Sequence, residues 1–291
     1  MCSSDLGLLV GGGSGHEPMF GGFLGRNLAD GAACGEVFAA PSPDTIVAAA
    51  KAIHRGKGVL FLYGNYGGDT MNFDIAAEWL ADEGIETQTV RVRDDVAAAP
   101  PERVNDRRGI AGDVFVIKAA GGAAAELPSL DEVARIARKA EANTRSMGVA
   151  VAPGSLPETG VWTFELGDDE IEVGMGAHGE AGVKRQKMVP ADAIVDQMMA
   201  LILQDLPFVR GDEVALLINN LGSSTMMELL IANRRVRQIL DREGIKVHRT
   251  WIGGWLTSME MAGFSISLLK LDAELKHYID LPSSSFGFTS L

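Results

Sequence analysis

Residues 6–18 read Leu-Gly-Leu-Leu-Val-Gly-Gly-Gly-Ser-Gly-His-Glu-Pro, an apolar run that passes directly into a glycine-rich turn. The apolar part, 6–10, predicts a strand. Glycine permits a tight turn and a close backbone approach to a small ligand, because it carries no Cβ atom. An imidazole in that turn, here His16, is held at a strand end and can exchange protons near neutral pH. The stretch therefore predicts a polar site at the carboxyl end of a strand.

A second histidine occupies a similar turn far along the chain. Residues 174–180 read Gly-Met-Gly-Ala-His-Gly-Glu, which places His178 among glycines. Alone, each histidine is equally explained as a packing or surface residue of an ordinary turn. A third glycine-rich loop, 64–69, adds the carboxylate of Asp69, which is equally explained as a helix N-cap. Together the three groups predict an acid/base and nucleophile set that grips one small polar substrate.

Apolar strands alternate with amphipathic helices along the chain. Strands are predicted at 58–63, 86–92, 148–152, 162–166, 170–173, 213–219, 246–252 and 264–269, and helices at 43–54, 70–83, 129–146, 190–204 and 225–243. This alternation predicts an α/β fold with ligands at the carboxyl ends of strands. We expect two α/β domains. The first, 1–190, has a mostly parallel sheet flanked by helices and includes the His178 loop, and the second, 191–291, has a smaller mixed sheet.

Composition restricts the class of protein. The 291 residues carry a net charge of −13, which argues against nucleic acid and anionic membrane surfaces as partners. The two cysteines, Cys2 and Cys34, form no disulfide framework, and no apolar run is long enough to span a membrane. Met1–Asp5 do not resemble a signal peptide, and an apolar strand follows at once. We therefore expect a cytoplasmic protein with a truncated N-terminus.

Residues 174–179 also satisfy the glycine pattern of a dinucleotide-binding loop. That pattern carries weight only between a strand and a helix, and residues 180–184, Glu-Ala-Gly-Val-Lys, begin no helix. No Walker A pattern occurs, and neither histidine and cysteine spacing nor the carboxylates predict a metal site. We therefore predict that this chain itself binds no cofactor and no metal. A nicotinamide-dependent oxidoreductase is the least supported interpretation.

Six segments together resemble the dihydroxyacetone-binding domain of the dihydroxyacetone kinase family. They are GGGSGHEP (11–18), GEVF (35–38), NYGGD followed by MNF (65–73), GMGAHGE (174–180), NNLG (219–222) and TSMEMAGFS (257–265). The resemblance covers nearly the whole chain, and the six segments stand in the family's order. It implies a phosphotransferase with an alcohol acceptor, of the glycerone kinase or phosphoenolpyruvate–glycerone type. This chain would be the substrate-binding subunit, and a homodimer.

The resemblance also implies roles for the polar residues. An imidazole nitrogen of His178 would add to the carbonyl of a short-chain ketose and hold it as a hemiaminal. His16 would hydrogen-bond or protonate the developing oxyanion, and Asp69 would act as general base on the terminal hydroxyl. Gly13 and Ser14 would lie against the substrate.

The missing nucleotide site has an explanation in the same family. ATP or ADP with Mg²⁺ would be bound by a separate L subunit. In one branch of the family the bound ADP is rephosphorylated by a phosphotransferase-system protein, and in the other branch ATP is used directly. The alternative is a ketose-binding regulatory protein without phosphotransfer. The presence of Asp69 favours catalysis, because a protein that only binds a ketose needs no general base.

Two substrate-contacting positions depart from the family pattern. Gly64 stands where many relatives have lysine, and Ala40 where a serine is often found. Losing a cation and a hydroxyl removes hydrogen bonds and creates room. We therefore expect a ketose larger than dihydroxyacetone, such as the four-carbon erythrulose.

Overall fold

The computed structural model describes residues 5–291, which form two compact units. Of these residues, the first unit comprises 5–92, Asp113–Ala142 and Ala273–Leu291, and the second comprises Arg93–Gly112 and Asn143–Asp272. Met1–Ser4, which include Cys2 and nearly all of the start that we expect to be truncated, lie outside the described residues.

These units differ from the expected division at residue 190. The chain passes from one unit to the other several times, because 113–142 and the last residues return to the first unit. His178 consequently belongs to the second unit, whereas the glycine turn of His16 belongs to the first.

The secondary structure elements are numbered in chain order. The chain runs through β1 (Gly7–Ser14), β2 (Gly25–Arg26), β3 (Gly31–Val37), α1 (Pro43–Ile53), β4 (Val59–Gly64), α2 (Gly67–Asp82), β5 (Thr87–Val92), α3 (Asp113–Glu126), α4 (Leu130–Ala142), β6 (Thr144–Ala152), β7 (Glu170–Val173), β8 (Lys184–Lys187), α5 (Ala191–Asp205), β9 (Glu213–Asn220), α6 (Met226–Glu243), β10 (Lys246–Gly253), β11 (Ala262–Leu271), α7 (Ala273–Asp280), β12 (Ser283–Ser285) and β13 (Thr289–Ser290).

A four-stranded parallel sheet in the order β3-β1-β4-β5 forms the centre of the first unit. Helices α1 and α2 pack together, α3 and α4 pack together, and each pair contacts the sheet. Every residue of 59–63 is buried, as is typical of a parallel strand covered on both faces. A small antiparallel sheet, β13-β12-β2, completes the unit.

Helix α1 begins where its sequence predicts. The hydroxyl of Ser42 accepts a hydrogen bond from the backbone N–H of Thr45 at 3.3 Å. Pro43 takes the first helical position, where a missing N–H costs nothing. The apolar face of α1 joins a core with β1, β3, β4 and α2, whose members include Ile46, Ala50, Ile53, Phe61 and Phe73.

The second unit is built on a six-stranded mixed sheet in the order β10-β9-β11-β6-β7-β8. Strands β9 and β10 are parallel, and the remaining neighbours are antiparallel. Helices α5 and α6 pack on this sheet and on each other. Helix α6 begins with a capping box, in which Thr225 and Glu228 satisfy each other's backbone N–H groups.

The predicted α/β class is confirmed, with one parallel sheet flanked by helices and one mixed sheet. The mixed sheet has six strands and the parallel sheet four, so the expectation that the mixed sheet is the smaller one is wrong. None of the helices within residues 5–291 combines the length and apolar character that a membrane crossing requires.

Two predicted elements are wrong in part or in full. The helix predicted at 129–146 ends at Ala142, and β6 starts at Thr144. No strand forms at 162–166: Trp162 makes an isolated bridge to Ser155, and its side chain is exposed. Beyond that bridge the segment pairs with no strand of residues 5–291, although Phe164 packs against a small apolar cluster.

Candidate functional site

Three loops of the first unit leave the parallel sheet at the same edge. Ser14 at the end of β1 pairs with Val37 at the end of β3, and β1 also pairs in parallel with β4. The loops that carry His16, Ala40 and Asp69 therefore follow the carboxyl ends of three adjacent strands. This is where ligands bind in parallel α/β sheets.

The turn that carries His16 is fixed by the loop after β3. The hydroxyl of Ser14 donates to the carbonyl of Gly35 at 2.6 Å, and the N–H of Phe38 donates to the carbonyl of Ser14 at 2.9 Å. The imidazole of His16 is buried, with its ring 5.0 Å from that of Phe38. The histidine therefore has a defined position rather than that of a surface side chain.

Gly13 is required by a close backbone approach. A Cβ atom at this position would lie 2.8 Å from the backbone nitrogen of Ala39 and 3.0 Å from Phe38. Contacts this short force the backbone to move. Glycine at 13 thus lets the loop 38–40 pack directly onto β1.

Asp69 lies in the first turn of α2 and is buried. A helix N-terminus favours a carboxylate there, because the peptide dipoles place partial positive charge at that end. The carboxylate is close enough to affect Tyr63: burial raises the pKa of the Tyr63 phenol, Arg91 lowers it, and the charges of Asp74 and Asp69 raise it further.

Ala40 and the start of α2 are neighbours. A Cβ atom at Gly68 would lie 3.3 Å from the methyl group of Ala40. The side-chain amide of Asn72 donates to the carbonyl of Pro41 at 2.8 Å and ties the two segments together. The first unit therefore gathers six of the seven predicted site residues at one sheet edge: Gly13, Ser14, His16, Ala40, Gly64 and Asp69.

The seventh predicted residue, His178, lies in the second unit in the turn after β7. Its side chain is 23% exposed. The backbone of the turn is fixed at Ala177, because the buried hydroxyl of Ser258 donates a hydrogen bond to its carbonyl. Gly179 adopts φ 87°, a left-handed conformation that favours glycine, and the Thr163–Phe164 segment packs beside it.

Both carboxylate oxygens of Glu180 contact His178. Oε1 lies 3.0 Å from Nδ1 of the imidazole, and Oε2 accepts the backbone N–H of His178 at 2.9 Å. Burial raises the pKa of the Glu180 carboxyl, but the hydrogen bonds and charge of His178 outweigh burial and hold the pKa at about 2. Glu180 is therefore an ionised acceptor on Nδ1 at neutral pH.

A buried ion pair lies behind Glu180. Nη1 of Arg108 is 4.0 Å from Oε2 of Glu180, while Nε and Nη2 donate to Oδ2 of Asp95 at 3.1 and 2.7 Å. Burial raises the pKa of Asp95 to about 6, although the charge and hydrogen bonds of Arg108 lower it. The imidazole thus ends a chain of charged groups that reaches the interior of the second unit.

The turn of His178 lacks the strand–turn–helix context of a dinucleotide-binding loop. The turn of His178 leads into strand β8, and no helix begins until Ala191. Within residues 5–291, histidine, cysteine and carboxylate side chains form no group of three that could hold a metal ion.

The family follows from the sequence comparison. A model described as the Dak1 domain matches residues 3–287. This chain belongs to the Dak1 family. The predicted resemblance is therefore confirmed over nearly the whole length of the chain.

Two relatives and one solved structure show what this Dak1 domain is similar to. It is 50% identical over 275 residues to the dihydroxyacetone-binding subunit DhaK of PTS-dependent dihydroxyacetone kinase 2 from Listeria innocua, covering 94% of this chain and 82% of the relative. It is 38% identical to the L-erythrulose kinase of Pectobacterium atrosepticum, covering 97% of this chain and 49% of the relative. The structure of the dihydroxyacetone kinase operon co-activator Dha-DhaQ matches with a TM-score of 0.91 at 30% identity, covering 97% of this chain and 87% of that one. The two named kinases confirm the predicted enzyme class.

Sequence reasoning on this Dak1 domain missed part of the His178 environment. Glu180 was visible within the glycine-rich motif but had no assigned role. Arg108 and Asp95 have no local signal, because they precede His178 by a long stretch of chain and reach it only through folding.

Proposed function

We propose that this Dak1 domain binds a short-chain ketose covalently on His178 and presents its terminal hydroxyl for phosphorylation. The observation that carries the proposal is the His178–Glu180 pair, in which an ionised carboxylate lies 3.0 Å from Nδ1. A carboxylate acceptor favours the proton on Nδ1 and thereby the lone pair on Nε2. The 50% identity to a dihydroxyacetone-binding subunit supports the ketose as substrate.

The covalent step is an addition. Nε2 of His178 attacks the ketone carbon, a C–N bond forms, and the carbonyl π electrons move to oxygen. The role that the family resemblance implies for His16 is to donate a hydrogen bond or a proton to that oxygen. The imidazolium that forms keeps its Nδ1 proton toward Glu180, whose negative charge stabilises it. Reversal of these steps releases the ketose, and a polyol without a carbonyl forms no such bond.

Asp69 then acts on the hydroxyl that receives the phosphoryl group. The carboxylate accepts the hydroxyl proton as the oxygen attacks phosphorus, which is the contribution of a general base. Its buried place in the first turn of α2 suits this role, because the helix N-terminus stabilises the ionised form. Gly13 and Ser14 line the same sheet edge and would contact the ketose.

The phosphoryl donor belongs to a partner in this proposal. ATP, or ADP with Mg²⁺, would be bound by a separate L subunit, in keeping with the PTS-dependent kinase named among the relatives. A homodimer and a cytoplasmic location remain predictions.

The identity of the ketose depends on two small residues. Ala40 and Gly64 offer neither the hydroxyl nor the cation that the family resemblance implies at these positions. Similarity to an L-erythrulose kinase is consistent with a four-carbon ketose. We propose a tetrulose as the preferred substrate and dihydroxyacetone as a poorer one.

A ketose-binding regulator is the second candidate function. The match to an operon co-activator at a TM-score of 0.91 favours it. The two candidates differ in chemistry, because a regulator binds the ketose without phosphotransfer. Asp69 supports the kinase, since a binding protein gains nothing from a general base.

Intact-protein mass spectrometry tests the proposal. The chain is incubated with dihydroxyacetone or erythrulose, desalted and compared with His178→Ala and with His54→Ala, a histidine at the end of α1 as matched control. We expect a ketose-sized mass increase in the wild type and in His54→Ala, and none in His178→Ala. A folded wild-type chain that forms no adduct with any short ketose contradicts covalent binding.

A further inference from the structure

Arg108 connects the reactive turn to the interior of the second unit. Its guanidinium is 15% exposed and reaches Glu180 through Nη1, Asp95 through Nε and Nη2, and the carbonyl of Gly174 through Nη2 at 3.3 Å. Gly174 is where β7 ends and the turn of His178 begins. One planar group therefore contacts the turn at two places.

We infer that Arg108, anchored by Asp95, is a positioning residue that holds the Glu180 carboxylate on Nδ1 of His178. This inference deepens the proposed function, because it concerns the orientation of the imidazole that would carry the ketose. Neither Arg108 nor Asp95 touches the ketose in this assignment.

Asp95, which anchors Arg108, is buried and hydrogen-bonded, whereas the side chain of Glu180 is partly exposed. Glu180 is 34% exposed and has three side-chain torsions, so a carboxylate without support would spend part of its time in water. Asp95 is 0% exposed, and its Oδ1 accepts the N–H of Ala97 at 3.0 Å. The backbone N–H of Asp95 also donates to the carbonyl of Arg108 at 3.2 Å. Side chain and backbone thus fix Arg108 and Asp95 to each other.

Gly176 provides a second, independent observation. A Cβ atom on Gly176 would overlap Oε2 of Glu180 and lie 2.6 Å from Nη1 of Arg108. The two charged groups therefore meet directly over the α-carbon of residue 176. Any larger residue there would separate them, so the glycine keeps the path between guanidinium and carboxylate open.

The consequence lies in the imidazole tautomer. A carboxylate fixed at Nδ1 favours the Nδ1–H form, which has its lone pair on Nε2. When the carboxylate moves away, the two neutral tautomers become closer in population and the ring orients less well. We expect slower adduct formation from loss of orientation, with the fold intact.

The first test uses Arg108→Ala and Arg108→Lys. Long-range ¹H–¹⁵N NMR on ¹⁵N-histidine-labelled protein reports the tautomer of His178, and His178→Ala assigns its signals. We expect Arg108→Ala to reduce the Nδ1–H population and to slow adduct formation by about 10-fold or more, as loss of an outer-shell partner does in other sites. Arg108→Lys keeps the charge and loses the planar fork. Its Nδ1–H population and its rate of adduct formation should therefore lie between those of the wild type and those of Arg108→Ala.

The second test uses Gly176→Ala with Gly167→Ala as matched control. A Cβ at Gly167 would lie 3.1 Å from Oε2 of Glu170, so this change also displaces a glutamate carboxylate, but away from His178. At 176 the obstructed atoms are the ends of two long side chains, and the backbone can keep its course. We expect Gly176→Ala to reproduce the tautomer change and the slower adduct formation, and Gly167→Ala to match the wild type.

The outcomes separate the inference from the proposed function. Unchanged His178 tautomer and adduct rate in Arg108→Ala overturn the inference. Slower adduct formation with a lower melting temperature and an unchanged tautomer assigns Arg108 a structural role and also overturns it. Absence of an adduct in the wild type overturns the proposed function, while the tautomer measurement, which needs no ketose, still decides whether Arg108 orients His178.

Discussion

The carboxylate of Asp205 accepts hydrogen bonds from both terminal nitrogens of the fully buried Arg107 guanidinium. Arg145 donates to the same carboxylate. Asp205 is the last residue of α5, so this one carboxylate joins the helix to β6 and to the segment before α3. One carboxylate thus pairs with two cations inside the second unit.

Asp205→Asn should strongly destabilise the second unit. An amide removes the negative charge that Asp205 places beside Arg107 and Arg145, and breaking a buried ion pair from one side costs about 3–5 kcal/mol. Asp196→Asn is the matched control: it lies on the same helix, and its partner Arg235 is at the surface. This control should lose at most about 1 kcal/mol. Urea unfolding at pH 7 measures both.

The penalty of Asp205→Asn should depend on pH with a defined sign. Burial raises the pKa of Asp205, but the hydrogen bonds and charges of Arg107 and Arg145 outweigh it and hold the pKa below its ordinary value of 3.8. Stabilisation by this group is therefore complete above pH 3.8 and lost as pH falls through the lower folded-state pKa. A penalty that grows on acidification contradicts this account.

Glu180→Gln should weaken the ketose adduct. The amide keeps the shape of the side chain but removes the charge that faces the imidazolium, and a hydrogen bond to a charged group contributes about 1.5–3 kcal/mol. The adduct equilibrium should fall by about 10-fold or more. Mass spectrometry over a ketose titration gives the fraction of adduct. Equal adduct fractions in both proteins would remove Glu180 from the chemistry.

The same comparison predicts a pH response. The pKa of Glu180 is held at about 2, below its ordinary 4.5, so the carboxylate stays charged through the mildly acidic range. Titration of Glu180 itself should therefore leave the advantage of wild type over Glu180→Gln unchanged from neutral pH to about pH 4, and remove it only as pH falls through about 2. An advantage that is lost near pH 5 would show that another group controls the adduct.

Periodic apolar patterns made most of the fold predictable. Helix α3 was missed because every residue from Asp113 to Ala124 is buried, which leaves no polar face and no amphipathic period to detect. Strand β8 was missed for the opposite reason: its residues, Lys-Arg-Gln-Lys, are all polar, and its backbone pairing with β7 sets its conformation. The division into units was unpredictable because it depends on which distant segments cover each sheet.

The candidate site likewise has a part that the sequence predicts and a part that it does not. His16, Asp69 and His178 were predictable because glycine-rich turns after apolar strands are local signals. The roles of Arg108 and Asp95 depend on tertiary distances, since β7 and the segment before α3 come together only in the folded unit. Local motifs thus indicate the reactive groups, and tertiary structure determines what orients them.

Asp69→Asn should separate binding from catalysis. The amide cannot accept the hydroxyl proton, so phosphotransfer from an L subunit loaded with ATP and Mg²⁺ should fall by about 100-fold to 10,000-fold. The His178 adduct should persist, because Asp69 takes no part in the addition. A coupled assay for the ketose phosphate and mass spectrometry on the same sample measure the two quantities. A wild-type chain that forms the adduct and supports no phosphotransfer would favour the regulator.

Ala40→Ser and Gly64→Lys should shift substrate preference toward dihydroxyacetone. Ala40 adjoins the start of α2, so a hydroxyl there restores a polar contact in the region of Asp69. One such hydrogen bond is worth about 0.5–1.5 kcal/mol, which corresponds to a change of about 2-fold to 12-fold in kcat/KM between the three-carbon and four-carbon ketoses. Gly64→Lys adds a cation and fills space, and its effect should be in the same direction. Competition between dihydroxyacetone and each erythrulose enantiomer measures the ratio. If the unaltered chain turns over dihydroxyacetone much faster than either enantiomer, the small residues at 40 and 64 do not select a larger ketose.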